Sequence, residues 1–170
     1  TVTDFNGCEI SQNYTVSEPE EFAVSSETNN VSCYGLNDGS INLNTSGTGT
    51  YTYNWSNGAN SEDINLLSPG EYMVDIISNL GCGTINLTFN ISQPNPLIVN
   101  LETTSLTELP CFNDSNGNLD INVEGGTLPY TFLWSNGNTS QNISNLSAGN
   151  YSLTVTDFNG CEISQNYTVS

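Results

Sequence analysis

Cys8, Cys33, Cys82, Cys111 and Cys161 are the side chains here with the widest choice of chemistry: metal ligation, nucleophilic attack or a disulfide. No histidine, lysine or arginine accompanies them. The usual bases, electrophiles and oxyanion partners are therefore missing, and no imidazole ligand is available. The cysteines also stand singly, without a Cys-x-x-Cys pair, which makes them poor zinc ligands. Disulfides remain, and they imply an oxidising compartment, periplasmic or extracellular.

The carboxylates offer little more. Glu62-Asp63 is the nearest thing to an acid/base pair, and no serine sits in a Gly-x-Ser-x-Gly elbow. The chain reads as a protein that is not an enzyme. Asp114, Asn116, Asn118 and Asp120 place oxygen-bearing side chains at alternate positions, the spacing a calcium loop uses, so calcium is the one candidate cofactor. The same run also reads as a polar turn leading into a strand. Asn13, Asn44, Asn86, Asn138 and Asn150 head Asn-x-Ser/Thr sequons and are candidate glycan acceptors.

What positions the cysteines is a repeat. Residues 1–17 recur letter for letter as residues 154–170, a period of 153, which marks the chain as a window on a longer tandem array. Inside that period lies a weaker repeat. Tyr51-Thr-Tyr-Asn-Trp-Ser-Asn-Gly58 matches Tyr130-Thr-Phe-Leu-Trp-Ser-Asn-Gly137, and the block ending at Tyr72 matches the block ending at Tyr151, both at a spacing of 79. Cys33 through Gly39 matches Cys111 through Gly117 at 78. Joints fall at Ser17-Glu18-Pro19 and Ser92-Gln93-Pro94, where proline withdraws the donor a strand needs. The expected layout is residues 1–18 as the closing strands of a preceding module, residues 19–95 as module 1 and residues 96–170 as module 2.

On this layout each module owns two cysteines, Cys33 and Cys82 in one, Cys111 and Cys161 in the other, 49 and 50 residues apart. The expected bonds are Cys33–Cys82 and Cys111–Cys161, with Cys8 pairing outside the chain. Closing a loop of about 50 residues stabilises a fold by roughly 4 kcal/mol in the chain-entropy model.

Eighteen acidic residues stand against no basic ones. Phosphate binding needs positive charge, so nucleic acid and anionic membranes are excluded as partners, and no stretch is apolar enough to insert into a bilayer. Neighbouring modules of the same chain, surface polysaccharide and other filaments are the expected partners.

Period-two alternation dominates: Ile41, Leu43 and Thr45; Tyr51, Tyr53 and Trp55; Leu119, Ile121 and Val123; Tyr130, Phe132 and Trp134; Tyr151, Leu153 and Val155. Turn clusters such as Asn37-Asp38-Gly39 and Asp157-Phe158-Asn159-Gly160 separate these strands. The expected fold is all-β: tandem small immunoglobulin-like β-sandwich modules, one disulfide within each, forming an extended array. Trp55, Trp134, Tyr72 and Tyr151 are the expected core residues, with Tyr151 resembling a tyrosine corner. Aromatic rows can also stack sugars, so exposure of Tyr51, Tyr53, Tyr130 and Phe132 would favour a carbohydrate platform.

The segment from Gly125 to Cys161, with Trp134-Ser-Asn-Gly137, Leu146-Ser-Ala-Gly-Asn-Tyr151 and Asp157-Phe-Asn-Gly-Cys161 in order, resembles the SprB repeat of gliding and related Bacteroidetes-type bacteria. A weaker copy spans Gly47 to Cys82, where Ser78 replaces Asp157 and Gly47-Thr48-Gly49-Thr50 replaces Gly126-Thr127-Leu128-Pro129. The resemblance implies a large repetitive cell-surface adhesin, exported by type IX secretion and used in attachment or gliding motility. An extracellular structural or adhesive filament segment is therefore the leading expectation. The alternatives are carbohydrate-binding accessory repeats of a large secreted enzyme, or a fibre that self-associates by strand addition through Ile10, Tyr14 or Val16.

Overall fold

The computed structural model describes residues 1–17, 22–81 and 83–170. Glu18, Pro19 and Cys82 therefore lie outside the described residues. A short hairpin, β1 (Val2–Thr3) and β2 (Glu9–Ile10), comes first and, among the described residues, pairs only with itself.

Module 1 builds two three-stranded antiparallel sheets. One joins β3 (Ala23–Asn29), β4 (Gly39–Ser46) and β6 (Ile64–Leu67) in the order β3-β4-β6. The other joins β5 (Tyr51–Trp55), β7 (Gly70–Ser78) and β8 (Thr84–Ile91) in the order β5-β7-β8. Alternation explains the layering, because successive side chains point to opposite faces. Ile41 and Leu43 from one sheet, and Tyr53, Trp55, Val74, Ile76 and Ile91 from the other, form a single buried cluster.

Module 2 repeats the plan. Its second sheet is β12 (Thr131–Trp134), β14 (Gly149–Thr156) and β15 (Glu162–Val169), in the order β12-β14-β15. Its first sheet is broken at Asp120: β9 (Ile98–Leu101) pairs with β11 (Ile121–Glu124), and β10 (Gly117–Leu119) pairs with β13 (Ile143–Leu146). Leu119, Ile121, Leu153, Val155 and Val169 close around Trp134. The glycine that ends each Cys-x-x-x-x-x-Gly element is needed for close approach. A Cβ on Gly39 would sit 2.8 Å from Ile91 Cγ2, and one on Gly117 would sit 3.0 Å from both the Leu146 carbonyl and Val169 Cγ1.

Candidate functional site at the module junction

The expected cysteine pairing is overturned. Cys33 of module 1 is bonded to Cys161 of module 2, with S–S 2.01 Å, and Cys8 and Cys111 are exposed thiols. Strand geometry supplies the reason. Cys111 lies beside Ser147, Ala148 and Ser170, where β14 begins and β15 ends. Cys161 follows the turn at the other end of that same hairpin, eight strand residues or about 27 Å away. A disulfide needs Cα atoms within about 7 Å, so the two cysteines of module 2 cannot meet. Cys33 instead projects from the end of module 1 where the chain leaves for module 2, and the Asp157–Cys161 turn of module 2 returns to that end.

The turn is built locally. Asp157 Oδ1 accepts the Asn159 and Cys161 N–H groups, each at 2.9 Å, and Gly160 occupies φ 84°. Asp157 Oδ2 accepts the Thr127 N–H at 2.8 Å, which ties the turn to the body of module 2. Asn159 then reaches across the junction, its Nδ2 donating to the Ser32 carbonyl at 2.9 Å. On the module 1 side, Leu36 N–H closes a turn on the Cys33 carbonyl at 3.2 Å through Gly35 at φ 81°. Ser32 holds that loop to Asp38 through its N–H and hydroxyl, and these bonds, the hydroxyl's first, keep the Asp38 carboxyl below its ordinary range.

The linker is fastened on both sides. Gln93 Oε1 accepts the Gly35 N–H of module 1 at 2.8 Å, and the Asn95 carbonyl accepts the Gly126 N–H of module 2 at 2.9 Å. Gly125 has no alternative residue here, since at φ 75° its Cβ would collide with the Pro96 carbonyl. A cleft of about 430 Å³ remains between the Cys33 loop, Pro94, Pro96 and the Cys161 turn.

The other candidate residues take structural places. Glu62 and Asp63, just before β6 begins, extend the β4 ladder by accepting the Thr45 and Leu43 N–H groups at 3.1 and 2.8 Å. Asn142 does the same for Ile121 in module 2, which explains why an amide can stand at that position. Asn118 donates to the Thr104 carbonyl and to Asp120 Oδ2, and accepts the Leu106 N–H. Asp114 and Asn116 precede β10 in the Cys111 loop. Among the described residues no group of three cysteine or acidic side chains gathers to hold a metal.

Trp55 and Trp134 are buried. Each indole N–H donates to a backbone carbonyl at 2.9 Å, Ser61 and Ser140 respectively. Tyr72 and Tyr151 are half-buried, and each hydroxyl donates to a carbonyl four residues upstream, Ser68 or Ser147, at 3.0 Å. Tyr51, Tyr53, Tyr130 and Phe132 pack against the two cores. Asn13, Asn44, Asn86, Asn138 and Asn150 are all exposed.

Two sandwiches in series, one pairing a β3-β4-β6 sheet with a β5-β7-β8 sheet and the other pairing a first sheet split into β9-β11 and β10-β13 with a β12-β14-β15 sheet, define tandem immunoglobulin-like modules. The family model of the SprB repeat matches the chain at two places, residues 25–60 and 103–139. Each match contains the leading cysteine, its glycine and the tryptophan strand, and stops before the x-Gly-Cys block that starts at Ser78 in module 1 and at Asp157 in module 2. No curated protein matches the chain. Among solved structures, the three N-terminal domains of the outer capsid protein Hoc of bacteriophage RB49 superpose with a TM-score of 0.52 at 19% identity. That alignment covers 87% of this chain and 58% of the Hoc fragment. A C-terminal fragment of intimin, solved with the intimin-binding domain of its translocated receptor, gives 0.44 at 12% identity, over 90% of this chain and 64% of the fragment. The repeat match and the immunoglobulin-like fold support a repeat segment of an adhesin-type surface protein. The disulfide is consistent with an extracellular location, and no helix among the described residues is long and apolar enough to cross a membrane.

Proposed function

We propose that the chain is a non-catalytic spacer in a long extracellular filament, whose serial modules hold an adhesive surface away from the cell for attachment or gliding. The observation that carries this reading is the junction, where one covalent bond and a linker hydrogen-bonded to both neighbours restrain the two sandwiches. Such a joint suits a stiff rod better than a flexible tether. The chain's 18 acidic residues add repulsion between adjacent filaments, over about 8 to 10 Å at physiological salt.

A carbohydrate platform has less support, because the aromatic rows that would form it face the cores. Weak surface contacts repeated along a rod would still add through effective concentration. Calcium at Asp114 to Asp120 has little support, since Asn118 is already engaged within the fold.

Small-angle scattering of the oxidised chain tests the spacer. A single narrow distribution of maximum dimension is expected, broadening when the disulfide is reduced. Identical broad distributions in both states would overturn the rod. Antibody labelling of intact, unpermeabilised cells tests the location, with labelling confined to lysed cells as the contrary result.

A further inference from the structure

Module 2 carries, unoccupied, the same cysteine loop that module 1 uses to hold its neighbour. Asp114 N–H closes on the Cys111 carbonyl at 3.2 Å through Asn113 at φ 64°, the turn that Leu36, Cys33 and Gly35 make in module 1. The supports correspond as well: Leu109 N–H donates to the Ser170 carbonyl as Val31 N–H donates to that of Ser92. What differs is cover. Cys33 is half-buried at the junction, whereas Cys111 is exposed and Phe112 beside it is 94% exposed. Phe112 and Leu109 line an open cleft of about 430 Å³ on this end of the module.

The complementary part also exists uncoupled. In the hairpin of residues 1–10, Asp4 Oδ1 accepts the Asn6 and Cys8 N–H groups at 2.9 and 2.8 Å, and Gly7 holds φ 83°. These are the bonds of the Asp157–Cys161 turn, formed here with Cys8 exposed and not in a disulfide. The leading-cysteine loop and a Gly-Cys hairpin thus each take their bonded shape without a bond: the loop at Cys111, and the hairpin, in its Asp-containing version, at Cys8.

We propose that Cys111 is the open half of a second inter-module bridge, whose partner is the Gly-Cys hairpin of a further copy of module 1 placed after Ser170. The array is then held by staggered disulfides, each joining the leading cysteine of one module to the hairpin cysteine of the next. The rule gives all five cysteines one role. Cys33 bonds Cys161, Cys111 bonds a following copy of Cys82, and Cys8 and Cys82 bond leading cysteines of preceding copies. In the copy of module 1 the hairpin turn is that of Ser78 to Gly81, where Gly81 N–H closes on the Ser78 carbonyl at 3.3 Å, as Gly160 N–H closes on Asp157. Each bridge forms when two thiols lose two protons and two electrons to a disulfide-class oxidant, whose own S–S bond becomes two thiols.

The inference rests on the array reading, and its test is separable from it. Residues 1–170 followed by a second copy of residues 18–92 would be oxidised with glutathione disulfide, alkylated, cut after acidic residues and mass-mapped without reduction. A peptide joining Cys111 to the second copy of Cys82 is expected, alongside the Cys33–Cys161 peptide. Alkylated Cys111, or Cys111 bonded to any other cysteine, overturns the proposal. Serine at the second copy of Cys82 should leave Cys111 fully alkylated with Cys33–Cys161 intact, and protection of Cys111 in that variant would equally overturn it. A natural chain found to hold only one period would end the array reading while leaving the pairing in the extended chain as measured.

Discussion

Residues 1–17 and 154–170 have one sequence and two structures. In the second copy Val155, Tyr167 and Val169 are 0%, 9% and 1% exposed, and in the first their counterparts Val2, Tyr14 and Val16 are 71%, 80% and 95% exposed. The turn is common to both. Val2 faces Ile10 as Val155 faces Ile163, and Thr3 faces Glu9 as Thr156 faces Glu162. What differs is the opposing strand: Gln165 to Val169 pair with Gly149–Leu153, and among the described residues no strand pairs with Gln12 to Val16. Turn shape and register are therefore encoded within about ten residues, whereas strand length and burial are supplied by the rest of the sandwich.

The largest difference to test between the copies is the covalent one. Serine at both Cys33 and Cys161 removes a bond closing 128 residues of sequence separation, which the chain-entropy model values at up to about 5 kcal/mol. Chemical denaturation should show the two modules unfolding in separate transitions at lower denaturant, while Cys8→Ser leaves the curve unchanged. An equal loss from Cys8→Ser would mean that the first hairpin is anchored too. The next difference is packing. Val155→Ala should cost module 2 about 2 kcal/mol, through lost burial and the cavity left behind, and Val2→Ala less than about 0.5 kcal/mol. Equal costs would break the distinction between a locally encoded turn and a tertiary strand.

This division also explains which features the sequence made legible. Alternation placed the strands, Trp55 and Trp134 marked the cores, and both tyrosines stand where the Leu-Ser-x-Gly-x-Tyr blocks put them, because each depends on near neighbours. The disulfide was misassigned because repeat alignment shows which cysteines correspond and is silent about which end of a sandwich each occupies. The signal was present. Cys161 follows a turn, Cys111 lies beside the start of β14 at the opposite end of that hairpin, and eight residues of β14 separate the two ends. Counting strand residues between turns would have excluded the pairing. The break at Asp120 and the use of Glu62, Asp63 and Asn142 as ladder partners were not legible, since they depend on where β6 and β13 begin relative to β4 and β11.

The smallest difference is a single hydroxyl. Tyr167 packs on Trp134 with ring centroids 5.8 Å apart, and its hydroxyl is buried without a hydrogen-bond partner, whereas module 1 places Phe89 against Trp55 at 6.0 Å. A buried unpaired hydroxyl costs about 1 to 3 kcal/mol in desolvation. Tyr167→Phe should therefore raise the stability of module 2 by about 1 kcal/mol, while Tyr14→Phe, at the same place in the exposed copy, changes nothing measurable. Burial also raises the pKa of Tyr167 above its ordinary value. A raised folded-state pKa leaves stability untouched below the unfolded value of about 10, where both states are protonated. Above it the unfolded chain ionises first, and stability falls as pH rises toward the folded pKa. Alkaline denaturation of module 2 should thus be shallower in Tyr167→Phe than in the parent, and Tyr14→Phe should follow the parent curve. An unchanged slope in Tyr167→Phe would mean that the hydroxyl finds water in solution, and the burial that separates the two copies would then stop short of Tyr167.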